Sequence, residues 1–227
     1  MNKTQLNAHP SVMFVYSPKS QGEVILGGYD GGYPRVIYAS APNLLGGNPE
    51  QSDKTRGPHD VLKREVEEEI AREEKGVDWK GRAIQWASLE DIALIRSGIL
   101  NNVKAYADFF VDTGAIMART RGERRENVQM SDVYKAIYSS FSSIVSQEVI
   151  ECVRDNINAG KRFYTEGFIG IHNLRQLESA GEFSTAHATA HILNDYFGTN
   201  IPYPEQLKVR KLETGVREKY IDYLTFP

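Results

Sequence analysis

Arg64-Glu65-Val66-Glu67-Glu68-Glu69 lies inside a stretch that runs from Pro58 to Lys75 with no glycine or further proline, and Gly76 follows it. Leu62, Val66 and Ile70 recur every four residues and form one apolar stripe, so the spacing predicts a helix over Pro58–Lys75. Proline suits the first turn of such a helix, and Gly76 is its expected stop. With Leu62 at 0° and about 100° per residue, Val66 and Ile70 fall near ~40° and ~80°. Glu69, Glu65 and Glu68 fall near ~340°, ~300° and ~240°, one acidic sector beside the buried stripe, while Glu67 points away to solvent.

The flanking sequence alternates strand and helix signals without a strict repeat. Val12–Tyr16, Glu23–Leu26, Arg35–Ser40, Lys104–Asp112 and Glu166–Asn173 read as strands. The glycines from Gly27 to Gly32 read as a hairpin turn, and Leu44-Leu45-Gly46-Gly47-Asn48-Pro49-Glu50 as a glycine break. Ser88–Ser97 reads as a helix capped by Ser88, with Asp91 three residues on. Ser131–Ile157 reads as one or two helices ending at Gly160, Ser184–Phe197 as a helix capped by Ser184 or Thr185 and closed by Gly198, and Val216–Leu224 as a last short helix. The mixture favours an α+β or mixed-sheet sandwich, a single α/β domain over 1–227, above a doubly wound parallel sheet.

The acidic sector carries the chemistry. Glu65–Glu69 and Glu65–Glu68 are like-charge pairs at helical spacing, each costing a few tenths of a kcal/mol in an isolated helix. A divalent cation would offset that repulsion, because hard ions prefer oxygen ligands and Mg²⁺ takes one or two carboxylates plus phosphate oxygens. Arg64 stands four residues before Glu68 and can pair with it. The competing interpretation is a solvated glutamate-rich surface, extended by Glu73 and Glu74.

These residues resemble the Nudix hydrolases, whose box is written G-x5-E-x7-R-E-U-x-E-E-x-G-U with U apolar. Arg64 to Glu69 fills R-E-U-x-E-E without a mismatch, and Gly46-Gly47 is similar to the glycine pair that leads into the box. The pattern is not complete. Counted back from Arg64, the register of the first acid is held by Arg56, and Ala71 and Arg72 replace the final glycine and apolar residue. The spacing from Gly47 is about three residues longer than the pattern, and the helix is expected to run on past Glu69.

The resemblance implies an α/β/α sandwich with a mixed sheet, carrying here a helical insertion of roughly 122–160 that stands as a dimer contact, a lid or a specificity element. It implies Mg²⁺ or Mn²⁺ held by Glu65, Glu68 and Glu69, Glu68 being catalytic, with Arg64 as an orienting partner. Such ions polarise a diphosphate and activate water. Glu166 stands where a further catalytic carboxylate often comes from in the family; Glu123, Glu126 and Asp112 are weaker rivals. The implied reaction is hydrolysis of a nucleoside diphosphate linked to another moiety. The alternative is a Nudix-like module that binds nucleotide and turns it over poorly.

Composition limits the other classes. Lys plus Arg number 27 against 30 Asp plus Glu, a net charge of -3, which gives no electrostatic case for a nucleic-acid polymer. The single cysteine, Cys152, allows no disulfide within the chain and reads as a buried structural thiol. No apolar run approaches the ~20 residues of a membrane span, and Met1–Pro10 lacks the apolar core of a secretory signal, so the cytoplasm is the expected location. His187 and His191 lack the glutamate of H-E-x-x-H and read as structural, as does His172 at a strand end. Arg119 to Arg125 is a basic loop, solvated or facing a phosphate. No G-K-[ST] follows the glycine pairs and no G-x-S-x-G elbow is present, so neither a P-loop nor a serine hydrolase is indicated.

Overall fold

Met13, Phe14 and Val15 are fully buried in succession, which places their strand at the centre of a sheet covered on both faces. The computed structural model describes residues 6, 8–20, 22–31, 40–53, 56–73, 76–78, 80–113, 135–182, 184–186, 188–205 and 207–216. The strands are β1 (Ser11–Tyr16), β2 (Glu23–Tyr29), β3 (Pro42–Asn43), β4 (Leu45–Gly47), β5 (Val103–Asp112), β6 (Lys135–Ile144), β7 (Gly167–Asn173) and β8 (Lys208–Lys211). The helices are α1 (Pro58–Glu69), α2 (Leu89–Leu100), α3 (Gln147–Asn158), α4 (Leu174–Glu178) and α5 (Thr189–Phe197).

The sheet runs β3-β2-β1-β6-β5-β8, with β4 also on β1 and β7 also on β2. β1 and β6 are parallel and the other pairs antiparallel, so the sheet is mixed. On one face Leu62 and Val66 of α1, Ile92, Ile95 and Ile99 of α2, and Val149, Ile150 and Val153 of α3 pack on Met13, Val15 and Phe141. On the other face Ile192 and Leu193 of α5 and Leu174 and Leu177 of α4 pack on Val12, Phe14 and Phe109. The expected α+β class with a mixed sheet is what the chain forms. Among the described residues no helix is long and apolar enough to cross a membrane.

Several elements differ from expectation. Lys135–Ile144 is not helical: it is the strand β6 between β1 and β5, so the described part of 122–160 is a central strand followed by a helix rather than a helical insertion throughout. Ile137, Phe141 and Ile144 happen to fall at helical spacing, and the intervening serines hide the strand pattern. Three of these four buried serines have a side-chain partner: Ser139 Oγ donates to Asp108 Oδ1 at 2.7 Å, Ser140 Oγ to the Ala107 carbonyl at 2.5 Å, and Ser143 Oγ to the Ile99 carbonyl at 2.6 Å. Only the second half of the predicted pair, α3, is a helix; Ser146 caps it and Gly160 closes it at φ 68°.

Gly27 and Gly28 were expected in a turn but lie inside β2, where they pair with Ile169 and Phe168 of β7. Their missing side chains make room for neighbours: a Cβ on Gly27 would stand 2.6 Å from the Tyr164 hydroxyl, and one on Gly28 would enter the Phe168 ring. The helix expected from Ser184 starts only at Thr189. Ala186 N–H is drawn to the Pro42 carbonyl at 2.8 Å and Thr189 Oγ1 to Asn43 Oδ1 at 3.0 Å, which ties the preceding residues to β3. The helix expected over Ser88–Ser97 forms as α2, capped as read by Ser88, whose Oγ accepts from Asp91 N at 3.0 Å. The calls on residues 35–39, 119–126, His187 and 217–224 fall outside the described residues.

Candidate metal centre and catalytic site

α1 lies against β1 and β4, and its sequence order sets a gradient of exposure. Leu62, Val66 and Ile70 are fully buried, as their stripe requires. Glu69, nearest that stripe, is only 6% exposed. Glu65 is half-buried, and the Glu68 side chain is 58% exposed. The wheel angles therefore order the acids correctly, with Glu67 in solvent.

The helix does not run to Lys75. It ends at Glu69, with Ile70 N–H still on the Val66 carbonyl at 2.9 Å. The cause is tertiary. Thr165 N–H donates to the Glu69 carbonyl at 2.8 Å and Thr165 Oγ1 to the Glu68 carbonyl at 3.3 Å, satisfying carbonyls that a further turn would have used. The same contact brings the neighbouring Glu166 to the C-terminal end of α1.

Arg64 is the hub. Its Nε donates to Asp53 Oδ2 at 3.0 Å, Nη1 to Glu68 Oε2 at 2.7 Å, and Nη2 to Glu65 Oε1 at 2.6 Å and to the Asn48 carbonyl at 3.1 Å. Burial alone would lower its pKa, but bonds to Asp53 and Glu65 and the charge of Glu68 raise it further above its ordinary value. Asp53 closes the short 3-10 turn Gln51–Asp53 and has a fully buried side chain. It also accepts from Glu50 N–H at 2.9 Å and pairs with Arg56 at 3.5 Å. Burial would raise its pKa, yet the Glu50 N–H and the two guanidinium groups hold it below the ordinary carboxylate range.

Asp53 is the residue that sequence reasoning missed. Counting back from Arg64 put Arg56 at the first acid position, leaving that position unfilled. Counting forward from Gly47, the sixth residue is Asp53, the spacing of G-x5-E with aspartate in place of glutamate. The extra residues thus lie between Asp53 and Arg64, and they do not prevent the acid from reaching the guanidinium.

Glu69 has the opposite surroundings. Its Oε2 accepts Gly46 N–H at 2.9 Å, and the buried Tyr164 phenol lies nearby. Burial pushes its pKa up to about 8; the Gly46 bond opposes this, and the charges of Glu65 and Glu166 add to it. Burial also raises Glu65, partly offset by Arg64. Glu166 is raised by burial and then by Glu73, with Arg162 opposing. Gly47 lies close beside this group: a Cβ there would stand 2.8 Å from Glu65 Cδ, and the carboxylate would have to shift.

The three helix acids are not gathered around a common point. Among the described residues no set of three His, Cys, Asp or Glu side chains is disposed to hold a metal ion. Glu65 and Glu68 turn to Arg64, while Glu69 turns inward to the Gly46 N–H. The donor chemistry nevertheless fits a hard divalent cation: the sector offers only carboxylate oxygens. Burial raises the pKa of both Glu65 and Glu69, a shift that a bound cation would oppose. Glu68 is exposed enough to swing from Arg64 toward an ion.

The remaining candidates have other roles. Asp112 sits 3.7 Å from Lys135 on the neighbouring strand. His191 lies 3.3 Å from the Tyr203 hydroxyl, and burial lowers its pKa. His172 is in β7, with its pKa also lowered by burial. Cys152 is half-buried rather than fully buried; burial raises its thiol pKa, with Asp91 adding to it. No protein-family model matches this chain, and no curated protein matches it.

Proposed function

We propose that this chain is a Nudix-type hydrolase, with the corresponding α/β/α sandwich, that cleaves a phosphoanhydride bond in a nucleoside diphosphate linked to another moiety. The observation that carries the proposal is the Arg64 hub. The arginine of R-E-U-x-E-E reaches Glu65, Glu68 and an acid six residues beyond Gly47. A solvated glutamate-rich helix has no need of a buried aspartate or of an arginine 13% exposed between four oxygen partners.

Glu65, Glu68 and Glu69 would hold Mg²⁺ or Mn²⁺. The ion, when bound, supplies Lewis-acid charge to a phosphate and lowers the pKa of water. Arg64 orients Glu65 and Glu68 through its two short bonds and fixes the loop of Asn48 and Asp53 over the helix. Glu166 would accept a proton on its carboxylate, a role supported by its raised pKa and its seat beside Glu69. The expected ligand is a small nucleotide derivative, and the expected location the cytoplasm; a second copy of the chain is a possible companion.

A second reading, a nucleotide-binding module with weak turnover, is favoured by one observation: Glu68 and Glu65 are already paired to Arg64. The two are separated by incubating wild-type protein and Glu68→Gln with Mn²⁺ and a panel of nucleoside diphosphate conjugates. Mn²⁺-dependent phosphate-containing products that vanish in Glu68→Gln support the hydrolase. Binding without products in the wild type supports the module, and neither binding nor products refutes both.

A further inference from the structure

We propose that Arg162 is a positioning residue: its guanidinium locks the backbone that carries Glu166. This rests on the reading of Glu166 as the proton acceptor of the hydrolase. Glu166 is solvent-exposed, with its carboxyl only partly desolvated by its neighbours, so the packing of its own side chain does not fix it. Its place is set by the chain on either side. On one side Thr165 N–H donates to the Glu69 carbonyl at 2.8 Å and Thr165 Oγ1 to the Glu68 carbonyl at 3.3 Å. On the other side Gly167 pairs with Tyr29 of β2, so closely that a Cβ would stand 2.2 Å from the Gly28 carbonyl oxygen and 2.5 Å from Asp30 N. Glu166 is thus seated between the end of α1 and the sheet.

Arg162 secures the Thr165 side of that seat. Its Nε donates to the Tyr164 carbonyl at 2.8 Å and its Nη2 to the Thr165 carbonyl at 2.9 Å. The guanidinium therefore grips the peptide groups on both sides of Thr165, and the second of these is the one that joins Thr165 to Glu166. Arg162 is itself anchored through its backbone. Its N–H donates to the Gln85 carbonyl at 2.8 Å, and its carbonyl accepts from Ala87 N–H at 2.9 Å. Phe163 and Tyr164 are buried in the apolar cluster under α1 and pin the chain between the anchor and the grip.

The contacts use the shape of arginine rather than its charge. Both donors go to neutral backbone carbonyls, not to a carboxylate. A guanidinium holds several N–H donors in one rigid plane, whereas an ammonium is a point charge on a flexible stem. Two carbonyls on successive residues call for two donors fixed relative to each other. The Trp86 ring lies on the same side chain, its centre 5.9 Å from Arg162 Cζ, and limits how far the plane can turn. Lysine at this position would supply the charge without the fork.

The test compares the wild type with Arg162→Lys, Glu166→Gln and the double variant, all as the full chain. With Mn²⁺ present, kcat and KM are measured on the nucleoside diphosphate conjugate that the wild type cleaves fastest, from a panel holding ADP-ribose, UDP-glucose and NADH. In metal-free buffer, exchange of the Thr165 amide hydrogen is followed by nuclear magnetic resonance. In Arg162→Lys that amide is expected to exchange about ten-fold faster. Its kcat is expected to fall about ten- to a hundred-fold with KM unchanged. In the Glu166→Gln background the same substitution should lower kcat no further, because Arg162 acts only through Glu166. An equal loss in both backgrounds overturns the inference, as do an unchanged kcat, a change confined to KM, or unchanged exchange at Thr165. The Arg162 Nε–H of the wild type needs no variant and should exchange slowly with water; free exchange there overturns the inference even if Arg162→Lys fails to fold. A wild type that cleaves no member of the panel overturns the hydrolase reading instead, and the exchange measurements alone then decide whether Arg162 holds this backbone.

Discussion

Asp53 and Glu69 are both carboxylates, 2% and 6% exposed, at opposite sides of the same network. Asp53 is held below the ordinary range and Glu69 is pushed to about 8. Burial works against ionisation in both. The difference lies in the neighbours: Asp53 meets two guanidinium groups and an N–H, whereas Glu69 meets one N–H, a phenol and the charges of two other glutamates. A buried acid with a cation is a structural pin. A buried acid among acids is pushed above its ordinary range, and a nearby cation would bring it back down.

Removing the pin should have the largest effect. Asp53→Asn strips Arg64 of its buried partner, and breaking a buried ion pair costs about 3–5 kcal/mol. Urea unfolding at pH 7 measures this; a loss below ~1 kcal/mol would mean that Asp53 and Glu69 are not so different after all.

On the hydrolase proposal, adding Mn²⁺ should erase the contrast from the other side. Mn²⁺ at a hundred times its dissociation constant is expected to add about 2.7 kcal/mol to unfolding, with a corresponding rise in Tm. Glu69→Gln should lose most of that gain, while a gain of equal size in the variant would remove Glu69 from the set of ligands.

Protons supply a third comparison, because the two acids couple to pH with opposite sign. Glu69 has its pKa raised from 4.5 to about 8, so its stabilising contribution is complete below 4.5 and is lost as pH rises through about 8. Asp53 has its pKa lowered, so its contribution is present above the ordinary value of 3.8 and is lost as pH falls through the lower folded value. In metal-free buffer the wild type should therefore lose up to about 1.4 kcal/mol per pH unit between pH 5 and 8 relative to Glu69→Gln. Parallel curves for the two proteins would show that Glu69 is not crowded.

The smallest stability change belongs to the most exposed acid. Glu68→Gln breaks a largely exposed ion pair and should change unfolding by less than about 1 kcal/mol. Turnover should nonetheless disappear. Unaltered turnover in this variant would confine Glu68 to the role of Arg64's surface partner.

Much of the site was legible because α1 is amphipathic in a simple way. Leu62, Val66 and Ile70 fix which side is buried, and the angles of Glu69, Glu65 and Glu68 from that stripe then fix their order of exposure. The Ser88 and Gly198 caps were legible for the same local reason. The identity of β6 was not. A strand whose polar positions are serines can bury them by bonding to Asp108, Ala107 and Ile99, partners that lie far away in sequence. Asp53 was hidden by the longer spacing to Arg64, which misaligned a pattern counted from one end only.

By itself the sequence determined a mixed α and β chain, the helix that carries Glu65, Glu68 and Glu69, and the face on which each of those acids lies, because helical periodicity is a local property. Only the tertiary structure decided where that helix stops, which acid Arg64 anchors, and that Tyr164 and Glu166 meet its last turn. Arg64's acid lies 11 residues away, beyond the reach of a helical pattern, while the helix stop and the contacts of Tyr164 and Glu166 depend on a segment about a hundred residues away, and no local pattern encodes the field that a folded neighbour imposes.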